Sequence, residues 1–128
     1  MKRLAGGAVV LALAGIACEN TAERKAEAAA VNHAVTSLRD ADNAKKRDFL
    51  GELRALSCSA PDVCAVRSAC LAAYELHVGV MDRVRETANA DGGNPAALDA
   101  LKADLKRSLD LTSTCTDAQG EMIRRYKL

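Results

Sequence analysis

Tryptophan is absent, phenylalanine occurs once and tyrosine twice, so these 128 residues hold almost none of the aromatic filler that half-buried strands favour. Proline is nearly as scarce, at two residues, and neither sign of charge dominates: 18 basic residues face 17 acidic ones, for a net charge of +1. Removing a leader that carries Lys2 and Arg3 leaves 16 basic residues (18 minus two) against the same 17, a net charge of −1. That balance gives no argument for nucleic acid or another polyanion as a partner. No Gly-rich phosphate loop, C-x-x-C, C-x-x-C-H or H-x3-H spacing occurs, which removes the usual signals for nucleotide, redox, haem and zinc chemistry. What is abundant is alanine, at 26 positions, a strong helix former. The length suits one domain. The composition predicts an all-α fold with no cofactor and no metal site, and comes close to excluding all-β and parallel α/β folds.

Residues 1–17 open with Lys2-Arg3, continue through an uncharged apolar run from Leu4 to Ala17, and meet Cys18-Glu19-Asn20. A short basic region, an apolar stretch and a small-residue exit form the pattern of a removable signal peptide. The apolar run is shorter than the roughly 20 residues that a membrane-spanning helix needs. Ala14-Gly15-Ile16-Ala17-Cys18 resembles the lipobox of bacterial lipoproteins, with Gly15 where leucine is usual. The resemblance implies that Cys18 is lipidated and becomes the mature N-terminus, tethering residues 18–128 to a membrane. The alternative is an ordinary secretory leader cut after Ala14, with Cys18 left as a thiol. Parity favours the lipid: setting Cys18 aside leaves Cys58, Cys64, Cys70 and Cys115, an even set suited to an oxidising compartment.

Two stretches carry breaker chemistry, Ser57 to Asp62 and Asn89 to Pro95, and two breaks make three helices. The spacing predicts an antiparallel three-helix bundle with helices at about 20–57, 60–89 and 95–126. Asn20 with Glu23 resembles a capping box, Ser59 is placed to cap the second helix, and Asn94 to cap the third with Pro95 at its first position. Apolar residues recur at spacings of three and four: Val31, Val35, Leu38, Phe49, Leu53 and Leu56; Val63, Val66, Cys70, Ala73, Val80 and Val84; Leu98, Leu101, Leu105, Thr112, Cys115 and Met122. The second helix has further apolar residues off this stripe, as expected of a central rod covered from two sides.

In a hairpin bent at Gly92-Gly93, residues equally far from the bend lie level, and Cys70 and Cys115 are such a pair. Cys58 and Cys64 flank the first turn. Bridges Cys58–Cys64 and Cys70–Cys115 follow, because the other pairings are out of reach of the Cα separation of about 7 Å that a disulfide tolerates. A metal site built from these thiolates with His33 or His77 lacks the required spacing. The same levelling places Asp42, His77 and Ser108 at one height in the three stripes. They read as a buried polar layer that fixes register, or with His77 turned outward. A Ser-His-Asp catalytic reading lacks a nucleophile turn and pocket-building loops.

The charged stretch from Arg39 to Asp48 reads as a solvated face with an Asp42–Lys46 pair, and Asp99/Lys102, Asp104/Arg107 and Glu121/Arg125 as similar local pairs. The expectation is a non-enzymatic envelope lipoprotein, exported to the periplasm or cell surface, held to the membrane by its lipid. Its helical rod would serve as a spacer or docking surface for another envelope protein, with Leu109, Leu111 and Ile123 as the exposed contact face. A second reading is peptidoglycan attachment: Arg125-Tyr126-Lys127 is similar to the end of the major murein lipoprotein family, although Leu128 follows the lysine and that family lacks internal disulfides. A third is a small-ligand carrier or enzyme with its site at Asp42, His77 and Ser108.

Overall fold

A computed structural model describes residues 14–89 and 94–128, with side chains described from Asn20 onward. Residues 1–13, the Cys18 side chain and residues 90–93, with the bend expected at Gly92-Gly93, lie outside the described residues. The described chain is all-helical and carries two disulfides: α1 (Ala14–Asp40), α2 (Lys46–Ala55), α3 (Pro61–Asn89) and α4 (Pro95–Tyr126).

The helix expected over 20–57 is two helices. After Asp40 the backbone turns, and the Asp42 carbonyl accepts the amides of Lys45 at 2.8 Å and Lys46 at 3.1 Å. Lys46 then reaches back, its Nζ donating to the carbonyls of Leu38 at 2.9 Å and Arg39 at 2.8 Å. A helix end leaves its last carbonyls without intrahelical partners, and a cation there meets the negative end of the dipole. Lys46 is therefore a buried C-terminal cap on α1 and not one half of a solvated pair with Asp42. α2 folds back along α3, where Arg47 meets Asp82 and Arg54 meets Glu75, both at 2.5 Å; rising numbers on α2 face falling numbers on α3, so the two are antiparallel.

Helix starts differ from expectation at two of three places. Asn20 is interior to α1, which is already helical from Ala14, so it does not cap that helix. The start of α3 is capped from outside: the Glu27 carboxylate on α1 accepts the amides of Ser59 (3.0 Å) and Ala60 (3.1 Å) and the Ser59 hydroxyl (2.6 Å). At α4 the Asn94 side chain accepts the Ala96 amide at 3.0 Å with Pro95 in the first turn, as its sequence predicts.

α3 lies against α1, α2 and α4, and α1 also touches α4. The core is formed by Val31, Val35 and Leu38 of α1, Leu50 and Leu53 of α2, Val63, Val66, Cys70, Ala73 and Tyr74 of α3, and Cys115 and Met122 of α4. By length and composition α3 would suffice to cross a membrane, but its apolar residues are the ones packed between its neighbours. Small side chains dominate this core, so each burial contributes toward the lower end of roughly 1.5–3 kcal/mol. The covalent staples matter accordingly. Cys58–Cys64 closes the α2–α3 corner with Cα atoms 5.5 Å apart, and Cys70–Cys115 joins α3 to α4 at 4.8 Å with both residues fully buried. Arg83–Asp104 and Asp62–Arg125, both at 2.8 Å, keep the same hairpin register towards its two ends. These cross-helix pairs take the place of the local Asp104/Arg107 and Glu121/Arg125 pairs.

Candidate functional site

Asp42, His77 and Ser108 are not joined by any hydrogen bond. The turn after α1 leaves Asp42 exposed, with its backbone carbonyl engaged and no ion pair to its carboxylate among the described residues. His77 is half-buried on α3, and its Nε2–H donates to Asn43 Oδ1 at 3.4 Å. Ser108 is 1% exposed on α4, and its hydroxyl has no partner. The nearby Thr112 hydroxyl donates to the Ser108 carbonyl, at 2.8 Å, and not to its hydroxyl. The expected layer is thus split by the break in α1, which turns Asp42 outward and brings Asn43 and Lys46 to α3 instead. A serine hydroxyl with no base within hydrogen-bond reach has nothing to take its proton.

Around this break the end of α1 overhangs a crevice of about 500 Å³, walled by Asp42, Asn43 and Lys46 and floored by Tyr74, His77 and Leu109. Lys46 is 7% exposed. Its ammonium lies 5.7 Å from the centroid of the Tyr74 ring, within cation–π range. Burial holds the lysine below its ordinary pKa, against the opposing pull of Asp40 and Asp42. His77 is lowered in the same way, first by burial and then by the charge of Lys46, so it is neutral at pH 7. The Tyr74 and His77 rings meet edge to face at 6.3 Å. Chemically this is a neutral imidazole beside a cation already committed to a helix end. Among the described residues no three His, Cys, Asp or Glu side chains group as a metal site. His33 is exposed on α1.

Two polar contacts seat α1 and the tail. Gln119 of α4, buried against α1, donates to Asn32 Oδ1 at 2.8 Å and Thr36 Oγ1 at 3.3 Å, and accepts from Arg39 at 2.5 Å. Asp62 accepts from Arg125 at 2.8 Å and from the Tyr126 hydroxyl at 2.9 Å. Burial raises the Asp62 carboxyl, but these two hydrogen bonds together with the backbone amides of Val63 and Asp62 outweigh it and hold the group below its ordinary value. Arg125 and Tyr126, two of the three residues that resemble the murein-lipoprotein end, are therefore occupied in closing the base of the bundle. Gln119 and Glu27 were not singled out by sequence, and Lys46 only as a surface partner of Asp42; their one signal is a polar residue at a position where an apolar repeat or a helix end needs a partner.

The largest departure from the expected core is on α4. Leu98 and Leu105, placed in the core by their spacing, are 37% and 40% exposed, Leu109 is 63% exposed, and Val84 on α3 is 37% exposed. Leu111 and Ile123 are half-buried, so of the expected contact face only Leu109 stands well into solvent. Leu109 lies seven residues, about two turns, from Thr116, and Leu105 fourteen residues, about four turns, from Gln119. Thr116 and Gln119 are the residues that α1 covers through Arg39, Thr36 and Asn32. The exposed leucines are thus the continuation of the face on which α1 lies, uncovered because α1 stops at Asp40. No protein-family model, curated protein or solved structure matches this chain.

Proposed function

We propose that the protein is a non-enzymatic envelope lipoprotein whose helical rod holds a docking surface away from the membrane. The observation that carries this reading is the open apolar track of Leu98, Leu105 and Leu109. Scattered exposed leucines need no explanation, whereas an aligned stripe on an otherwise covered helix face marks a place for a partner. Its position adds support. Glu27 meets the start of α3, so α1 enters at the base of the hairpin, and residues 20–26 are exposed beyond it. The track runs from the middle of α3, where Leu109 shares a crevice with His77, towards its far end, and the 29 residues of α3 extend about 44 Å. A lipid on Cys18 would therefore leave the track facing away from the bilayer. The lipobox-like Ala14 to Cys18 and an even set of four bridged cysteines support export and anchoring.

Intact mass of the chain expressed in a bacterial envelope tests the anchor. The expected result is cleavage before Cys18, added acyl mass and the loss of four hydrogens for two bridges; a mass beginning after Ala14 with no acyl group would refute it. Docking is tested by photo-cross-linking from position 109, with the same probe at the half-buried Ile123 as the reference. No adduct above that reference would remove the docking reading.

A further inference from the structure

We propose that the turn joining α1 to α2 is an acid-sensitive latch: His77 on α3 lets it close as a neutral imidazole, and a proton on that ring releases residues 41–46 while the seam between α3 and α4 stays shut. The inference is independent of the docking reading. Inside the turn the Asp42 carbonyl accepts the amides of Lys45 and Lys46, and the Lys46 ammonium ties it to the end of α1 through the carbonyls of Leu38 and Arg39. Towards α3 the turn sets that ammonium 5.7 Å from the centroid of the Tyr74 ring and Asn43 Oδ1 3.4 Å from His77 Nε2. The imidazole meets the same Tyr74 ring edge to face at 6.3 Å. Lys46 and His77 thus share one aromatic neighbour in one crevice. Lys46 is 7% exposed and cannot withdraw without uncapping α1, and of the two only an imidazole ordinarily titrates close to neutral pH.

The groups around the crevice give a proton on His77 no counter-ion. The end of α1 brings Arg39, a cation bonded to Gln119; the turn brings neutral Asn43 and the exposed Asp42; α2 brings Lys46; α3 adds Tyr74; α4 brings Leu109 and Thr112, which do not titrate. Among the described residues no carboxylate is hydrogen-bonded or ion-paired to His77. Asp42 acts instead on Lys46, whose charge it favours. Burial and the Lys46 charge therefore both set the ring against protonation. Once the turn has opened, the imidazole is hydrated and returns towards its ordinary value of about 6.5. The closed form binds the proton less readily than the open one, so opening gains as the pH falls below about 6.5, by at most about tenfold per pH unit for a single proton. The ring's Nε2 faces Asn43, and Asn43 is three residues from Lys46, so moving that turn as a unit separates the two cations. The wall that opens is shared with Leu109, and the inner end of the apolar track changes its surroundings with it.

Amide hydrogen exchange of the ¹⁵N-labelled full chain in mild detergent tests this, at pH 7.5 and 5.5, with each rate divided by the intrinsic rate at that pH. The amides of Lys45, Lys46 and Asp48 should lose about threefold to tenfold in protection at the lower pH, while those around Cys115 keep theirs. His77→Gln should abolish the loss, and Asp42→Asn, which removes the carboxylate lining the crevice, should retain it. Protection that holds at pH 5.5, an equal loss in His77→Gln, disappearance of the loss in Asp42→Asn, or an equal loss around Cys115 would each overturn the proposal. Should His77→Gln fail to fold, the ring of the unsubstituted chain decides: an NMR titration midpoint at or above 6.5 overturns the latch, and one below it, coinciding with the loss of protection at Lys46, supports it.

Discussion

Removing the Cys70–Cys115 bridge should cost about twice what removing Cys58–Cys64 costs, and the ratio can be worked from chain separation alone. The first bridge closes a loop with a sequence separation of 45, the second one of 6. Loop-closure entropy then gives about 4 kcal/mol for the long bridge and about 2 kcal/mol for the short one at 25 °C. Truncating two fully buried sulfurs adds on the order of 1 kcal/mol to the long-bridge variant, by analogy with the loss of single buried methyl-sized groups. Against a total stability of about 5–15 kcal/mol, the double substitution Cys70→Ala/Cys115→Ala removes a third or more of what holds the domain together. Urea titration followed by far-ultraviolet circular dichroism measures this. With a slope of about 1.5 kcal/mol per molar, the midpoint should fall by roughly 3 M for the long bridge and a little over 1 M for Cys58→Ala/Cys64→Ala. The slope itself should rise in the long-bridge variant, because its unfolded chain is freed to expand. Equal midpoint shifts, or a larger shift for the corner bridge, would refute the reasoning and show that the seam between α3 and α4 keeps its register without the staple.

Lys46→Met should lower stability by about 1–2 kcal/mol, because two carbonyls at the end of α1 lose their donor while one buried charge is relieved; thermal melting measures it. The same substitution should raise the pKa of His77, seen by NMR titration, since burial remains but the neighbouring cation is gone. For the unsubstituted chain the sign of the pH effect follows from that lowered value: below pH of about 6.5 the unfolded chain takes up a proton at His77 before the folded chain does, so stability should fall as pH drops through that window. In His77→Gln this part of the pH dependence should vanish, and an unchanged profile would refute the assignment. Gln119→Ala should cost about 1–3 kcal/mol by stranding Asn32, Thr36 and Arg39 at the α1–α4 contact, measured by urea midpoint. Ser108→Ala should be neutral or stabilising by up to about 1 kcal/mol, because the hydroxyl it removes is buried without a partner; a loss above that would mean the hydroxyl is bonded.

The hairpin could be read from sequence because its signals are local. Asn94 and Pro95 fix one helix start chemically, and two cysteines equidistant in sequence from Gly92-Gly93 fix the register. The break in α1 has no such signal: there is no glycine or proline between Ala41 and Lys46, and Leu38 and Phe49 stand eleven residues apart, about three turns, so the apolar repeat runs through the break in phase. Lys46 chooses the turn by reaching carbonyls eight and seven residues back, a gain that appears only once the chain has folded. Glu27 and Gln119 were hidden for the same reason, as their partners lie 32 or more residues away in sequence.

That one undetected break also accounts for the misplaced leucines. On α4, Leu98 and Leu105 repeat in register with Thr112 and Gln119, and periodicity alone assigns them all to one seam. Periodicity tells which face of a helix is apolar; it does not tell how far along that face a neighbour extends. The neighbour here is α1, and its length is set by the turn at Ala41 and the lysine that caps it. An unbroken first helix of the length expected from sequence would have run on past Asp40 over Leu109 and Leu105 and left a closed bundle with no surface to offer. Ending α1 at Asp40 gives up that burial and spends α2 on the far side of α3 instead. The open track is thus a consequence of the α1 cap, and the two should fail together: a chain in which α1 is made to continue would bury Leu109 and lose whatever contact Leu105 and Leu109 now make.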